Sequence, residues 1–96
     1  MPFTVAWTKN AEAGLACLYN KAPQSLRQSV TQASDQIDLR LRFAGDQLGT
    51  PLPGIPGGLV YAEPVNADWL LAVVFDFSPD DKLLTIHKPL LIPQPK

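Results

Sequence analysis

Seven of the ten residues from Gly49 to Gly58 (Gly-Thr-Pro-Leu-Pro-Gly-Ile-Pro-Gly-Gly) are proline or glycine. Proline removes a backbone donor and glycine carries the largest ordering entropy, so neither a helix nor a central strand runs through such a stretch. The run divides the 96-residue chain into two halves with different periodicity. Before it, Leu26, Val30, Ala33, Ile37, Leu41, Ala44 and Leu48 recur at spacings of three and four, which predicts a long amphipathic helix beginning after Pro23. Arg27, Gln28, Thr31, Gln32, Asp35 and Gln36 form its solvated face. Gly45 marks its last turn.

Upstream, Phe3, Val5 and Trp7 alternate with Thr4, Ala6 and Thr8, the period-two pattern of a strand with one buried face. A first helix is expected from about Asn10, with Asn10 as cap, Glu12 in the first turn, and Ala11, Leu15, Leu18 and Ala22 as its apolar stripe. Downstream of the Pro/Gly run, three strands are expected. Leu59 to Glu63 is closed by Pro64 and the Asn66-Ala67-Asp68 turn. Trp69 to Phe77 is almost continuously apolar and reads as a central strand covered on both faces. Ser78-Pro79-Asp80-Asp81 then forms a turn into Lys82 to Lys88, with Leu84 and Ile86 on one face and Leu83, Thr85 and His87 on the other. Pro89 is expected to stop the pairing and leave residues 89–96 as an extended tail. The order is strand, helix, helix, loop and an antiparallel three-strand meander, so the helices bury their stripes on one sheet face of a two-layer α+β domain spanning residues 1–96.

Composition excludes several functions. With eight Lys and Arg against nine Asp and Glu, the chain offers no field for nucleic acid or an anionic membrane. One cysteine and one histidine preclude a disulfide and a His/Cys metal cluster within the chain. No basic region followed by an apolar run marks a leader, and no stretch has the ~18 apolar residues of a membrane span, so a cytoplasmic domain is expected. The arginines (Arg27, Arg40 and Arg42) all precede the Pro/Gly run, which leaves residues 43–96 without the side chain best suited to phosphate.

The element order, Trp7-Thr8 closing the first strand, Ala11-Glu12 opening the first helix, the long second helix and the Phe75-Asp76-Phe77-Ser78-Pro79-Asp80-Asp81-Lys82 hairpin together resemble the RelE/ParE superfamily of bacterial type II toxins. The resemblance spans residues 3 to 92. It implies a β-α-α-β-β-β fold and a toxin neutralised by a cognate antitoxin. It also implies one of two activities without a cofactor: metal-independent cleavage of mRNA on the ribosome, or poisoning of DNA gyrase through protein contact. RelE-like nucleases carry cations on the sheet and often a histidine or tyrosine near the last strand. This chain departs from that pattern, with no cation between Leu52 and Gly58 and with Asp76 where an arginine is common.

Under the nuclease reading the catalytic candidates are His87, Lys82 and Lys88, with His87 as general acid or base because its ordinary pKa lies near 6.5. The structural readings of the same residues are a solvent-facing histidine at the strand end, and charges that solvate and guard an exposed edge. Asp76 is either a polar residue of the outer sheet face or an antitoxin contact. Tyr61 is either a partner-facing aromatic or core packing. Tyr19, Trp7 and Cys17 are expected in the core. The leading reading is an antitoxin-binding toxin-fold protein that acts by protein contact, either by inhibiting gyrase or as a degenerate toxin that retains only antitoxin binding, with the ribosome as the other partner the resemblance implies. The alternatives are a ribosome-dependent mRNA endonuclease and an unrelated small α+β structural or assembly module.

Overall fold

A computed structural model describes residues 3–45 and 47–95. The elements run β1 (Thr4–Trp7), α1 (Lys9–Lys21), α2 (Gln24–Ala44), β2 (Thr50–Pro51), β3 (Leu59–Pro64), β4 (Trp69–Ser78) and β5 (Leu83–Pro93). The five strands form one mixed sheet in the order β1-β5-β4-β3-β2, with β1 parallel to β5 and the other pairs antiparallel. The expected α+β arrangement is present. It gains β2, a two-residue edge that the Pro/Gly run contributes by pairing Thr50 with Val60 and Pro51 with Leu59.

The cap of helix α1 lies two residues earlier than Asn10, at Thr8: the Thr8 hydroxyl accepts from the Ala11 amide at 3.0 Å. Helix α2 follows directly, with Pro23 pre-set at its entry and Gly45 as its C-cap. Arg27 stitches the two helices together. Its Nε donates to the Ala22 carbonyl at 3.3 Å, its Nη2 to the Asn20 carbonyl at 3.2 Å, and its guanidinium lies 5.5 Å from the centre of the Tyr19 ring. Tyr19 is therefore an exposed ring under a cation and not a core residue. Cys17 is exposed as well, since the stripe of α1 that meets the sheet runs through Ala11, Leu15 and Leu18 and leaves position 17 on the solvent side. Trp7 is half-buried against the core, and its Nε1 donates to Asp38 at 3.4 Å.

The core lies between the helices and one sheet face. Ile37 and Leu41 of α2, Leu71, Val73 and Phe75 of β4, and Leu84 and Ile86 of β5 are fully buried there. Burying each such side chain contributes roughly 1.5–3 kcal/mol. The central position of β4 agrees with its apolar run. Cover on both of its faces does not: the helices cover one, and Leu70 and Val74 of the other remain half-buried while Asp76 is exposed.

Strand β5 departs most from the period-two expectation. Phe75 pairs with Ile86 but Val74 pairs with Lys88, so His87 is the extra residue of a β-bulge. The bulge shifts the alternation by one residue. Leu84 and Ile86 point into the core before it, and Pro89 does so after it, where a Cβ on Gly14 of α1 would lie 3.2 Å from the Pro89 ring. Pro89 consequently does not stop the pairing. Its partner is Val73, and β5 continues to Pro93. Strand β1 pairs only as far as Ile86, so β5 is an edge strand from there on, and an edge is where proline is tolerated in a sheet. The last residue of the expected tail, Lys96, lies outside the described residues.

Candidate functional site on the open sheet face

The face of the sheet turned away from the helices is assembled by strand register. Three rows cross β3, β4 and β5: Pro64–Leu70–Ile92, Ala62–Ala72–Leu90 and Val60–Val74–Lys88. The first two rows are wholly apolar, and Leu90 and Ile92 remain about one-third exposed. Beyond the third row the face turns polar, with Asp76 opposite Thr85 and with His87 on the bulge.

Asp76 and His87 meet across β4 and β5, with His87 Nε2 and Asp76 Oδ2 2.7 Å apart. Their side chains are about half exposed, so the pair sits in high dielectric and adds little to stability. Its effect is positional, because it holds one ring nitrogen and leaves Nδ1 free for another partner. An imidazole oriented by a carboxylate is competent for proton transfer at its other nitrogen. The bulge also brings Lys88 onto the same face as His87. Three of the residues singled out in the sequence, Asp76, His87 and Lys88, are thus brought together.

The other two are elsewhere. Lys82 precedes β5 in the turn, where its backbone has φ 50° and its amide donates to the Pro79 carbonyl at 3.3 Å. It lies five residue steps before His87, roughly 16 Å at 3.3 Å per step. Tyr61 pairs with fully buried Val73 and packs against the core, on the helix side of the sheet. Its hydroxyl donates to Glu63 Oε1, which also takes Arg40 Nε of α2 at 2.6 Å. Burial first, then the hydrogen bond and charge of Glu63, push the Tyr61 hydroxyl up to about 12, with Arg40 opposing.

The arginines all lie on α2, and each is engaged there. Arg40 binds Glu63, Arg42 Nη2 binds Asp38 at 2.8 Å, and Arg27 holds the α1 carbonyls. At its polar end the open face therefore offers one lysine and one histidine against one carboxylate. Residue type alone does not pair Asp76 with His87, but the turn between their strands does. A turn centred on Asp80-Asp81 places Asp76 opposite Thr85, and His87 then falls on the adjacent diagonal of the same face.

No family model matches the sequence, and no curated protein is significantly similar to it. Solved structures do match in fold. The RelBE toxin–antitoxin complex from Mycobacterium tuberculosis aligns with a TM-score of 0.64 at 16% identity, covering 93% of this chain and 96% of that one. A mutant E. coli RelE toxin in the free state gives 0.59 at 9% identity, over 93% and 82% of the two chains. The archaeal RelE–RelB complex from Pyrococcus horikoshii OT3 gives 0.53 at 18% identity, over 97% and 96%. Across nearly its whole length, this chain has the fold of RelE-type toxins.

Proposed function

We propose that this protein is the toxin-fold member of a type II toxin–antitoxin pair in the cytoplasm, bound by a cognate antitoxin and acting through protein contact. The observation that carries the reading is the open sheet face itself, an apolar strip ending in a carboxylate-paired histidine. Apolar area of this kind, with Leu90 and Ile92 exposed, is suited to burial under another protein chain. RNA cleavage has the opposite requirement: cations placed where charge develops on the phosphate. Here Asp76 offsets the charge of Lys88 or of protonated His87, and the arginines are held by other partners. No helix of the described residues is long and apolar enough to cross a membrane.

The test is inducible expression in a bacterium, with growth and mRNA integrity followed together. Growth arrest with intact mRNA, relieved by Leu90→Asp or Ile92→Asp and unaffected by His87→Ala, is the expected result. Arrest with cleaved mRNA that disappears in His87→Ala would overturn it.

The second reading is the ribosome-dependent endonuclease, and one observation favours it: Asp76 orients His87 beside Lys88. That reading requires the ribosome to supply most of the positive charge. It predicts that Asp76→Ala and Lys88→Ala each relieve toxicity, and it fails if neither does.

A further inference from the structure

The sheet outruns the helices at one end. Helix α1 stops at Lys21, and Ala22 and Pro23 turn the chain straight into α2, whereas β4 begins at Trp69 and β5 runs on to Pro93. Leu91 pairs with Leu71, and Trp69 precedes Leu71 by two, so both continue the helix-side face of the sheet to its end. The short side chains of the Ala22–Pro23 corner do not fill the space beside them. A pocket of about 270 Å³ remains there, between Leu18 and Leu26 of the helices and Trp69 and Leu91 of the sheet. Trp69 is 37% exposed, so the pocket opens to solvent beside its ring. Lys21 is the charged residue of the lining, and no ion pair among the described residues engages it.

We infer that this pocket binds a small aromatic monocarboxylate, with its ring against Trp69 and its carboxylate at the Lys21 ammonium. Volume sets the size. An apolar cavity of about 150 Å³ takes a benzene ring, so this one has room for two fused rings. A helix, about 10–12 Å across with its side chains, is too wide for it. The lining sets the ring, because a flat group gains stacking on the indole of Trp69 beyond its burial against leucine. Charge sets the acid. The lining holds no Asp or Glu, so an incoming carboxylate meets Lys21 with no competitor inside the pocket. Trp69 lies seven residue steps from Asp76 along β4, roughly 23 Å, and on the opposite sheet face. The inference therefore stands on the pocket alone, independent of the toxin reading.

The probe is 1-naphthaleneacetate, titrated into the full chain and followed by amide and indole N–H chemical shifts, with 1-naphthaleneacetamide as its uncharged twin. The acid should bind with a Kd of about 1 mM or below, shifting Leu18, Lys21, Leu26, Trp69 and Leu91 and leaving Asp76 and His87 unmoved. Lys21 is exposed, so its pairing is worth a small factor, and the amide should bind about threefold more weakly. Lys21→Glu should keep the parent circular dichroism, weaken the acid by about fivefold and leave the amide unchanged. Trp69→Ala should weaken acid and amide alike, by about fivefold or more. No saturating shifts at about 10 mM ligand, equal binding of acid and amide, full binding to Lys21→Glu, or shifts confined to the open sheet face would each overturn the inference. So would two other occupants. Trp69 and Leu91 signals that move with protein concentration alone would assign the pocket to a second copy of the chain. A Gly-Gly-Trp peptide binding at least about tenfold more tightly than the acid would assign it to a partner's chain end.

Discussion

Gly49 joins the helical half of the chain to the sheet, and its replacement by alanine separates two physical costs. Its φ is +97°, outside the range an L-residue adopts readily, and a Cβ there would lie 2.8 Å from Phe75 Cζ and 3.3 Å from the Leu59 Cβ. Phe75 is fully buried on the central strand, so its ring has no solvent to move into. Positive φ at a non-glycine residue costs roughly 1–2 kcal/mol, and forcing a methyl into a packed core costs roughly 1–3 kcal/mol. The smaller entropy of the unfolded alanine chain returns about 0.4–1 kcal/mol. Gly49→Ala should therefore destabilise the protein by about 2–4 kcal/mol. With an m-value of about 1.3 kcal/mol/M, the urea midpoint falls by about 2 M. Gly54 provides the control. It also has positive φ (+81°), but a Cβ there meets nothing within 4 Å, so Gly54→Ala bears the backbone cost alone and should lose about 1 kcal/mol or less. Equilibrium urea unfolding of the two variants measures the packing cost as their difference. If they differ by less than about 0.5 kcal/mol, the close approach of the Gly49 backbone to Phe75 is not a constraint on the fold.

Three other predictions follow from single contacts. Thr8→Ala removes the hydroxyl that caps α1 and should cost about 1 kcal/mol in thermal or urea unfolding, with Thr8→Ser close to the parent. Tyr61 keeps its proton in the folded chain up to about pH 12, whereas the unfolded chain releases it near pH 10. Its contribution is complete below pH 10 and is lost as pH rises through 12, so parent stability should fall by about 1 kcal/mol more than that of Tyr61→Phe across that window, a figure reduced for the ring's partial contact with solvent. Asp76→Asn and His87→Ala, which alter an exposed pair, should each leave the unfolding midpoint within about 0.5 kcal/mol of the parent, so any change in cellular phenotype reports on function and not on folding.

Much of the architecture is legible in the sequence. The helical stripe from Val30 to Leu41 is the buried face of α2, the apolar run from Trp69 is the central strand, and the Pro/Gly run is the connection between the layers. The failures have particular causes. Cys17 and Tyr19 are apolar enough to suggest a core, but α1 turns only one narrow stripe to the sheet. Pro89 reads as a terminator because the missing N–H is costly where a strand is flanked on both sides; β1 has already ended at that point, so one side of β5 is open.

The candidate site was half legible. Asp76, His87 and Lys88 could be chosen by residue type, and the missing arginine of the second half was plain from composition. What those residues do to one another was not. Asp76 and His87 are eleven positions apart, and they meet because β4 and β5 pair in one register with one bulge at His87.

Local physics is written into the chain at short range: helix period, turn and Pro/Gly break each depend on residues a few positions apart, and the sequence alone therefore determined the elements and their order, apart from the short edge β2 that pairing with β3 creates. The partnership of β1 with β5, the change of phase at His87, the removal of Tyr61 to the helix side and the pairing of Arg40 with Glu63 of β3 were decided by tertiary structure. Strand pairing brings together residues with no local coupling, and a shift of one residue exchanges the two faces of a strand. Whether the last strand shows a partner an apolar strip or a charged site is settled at that level.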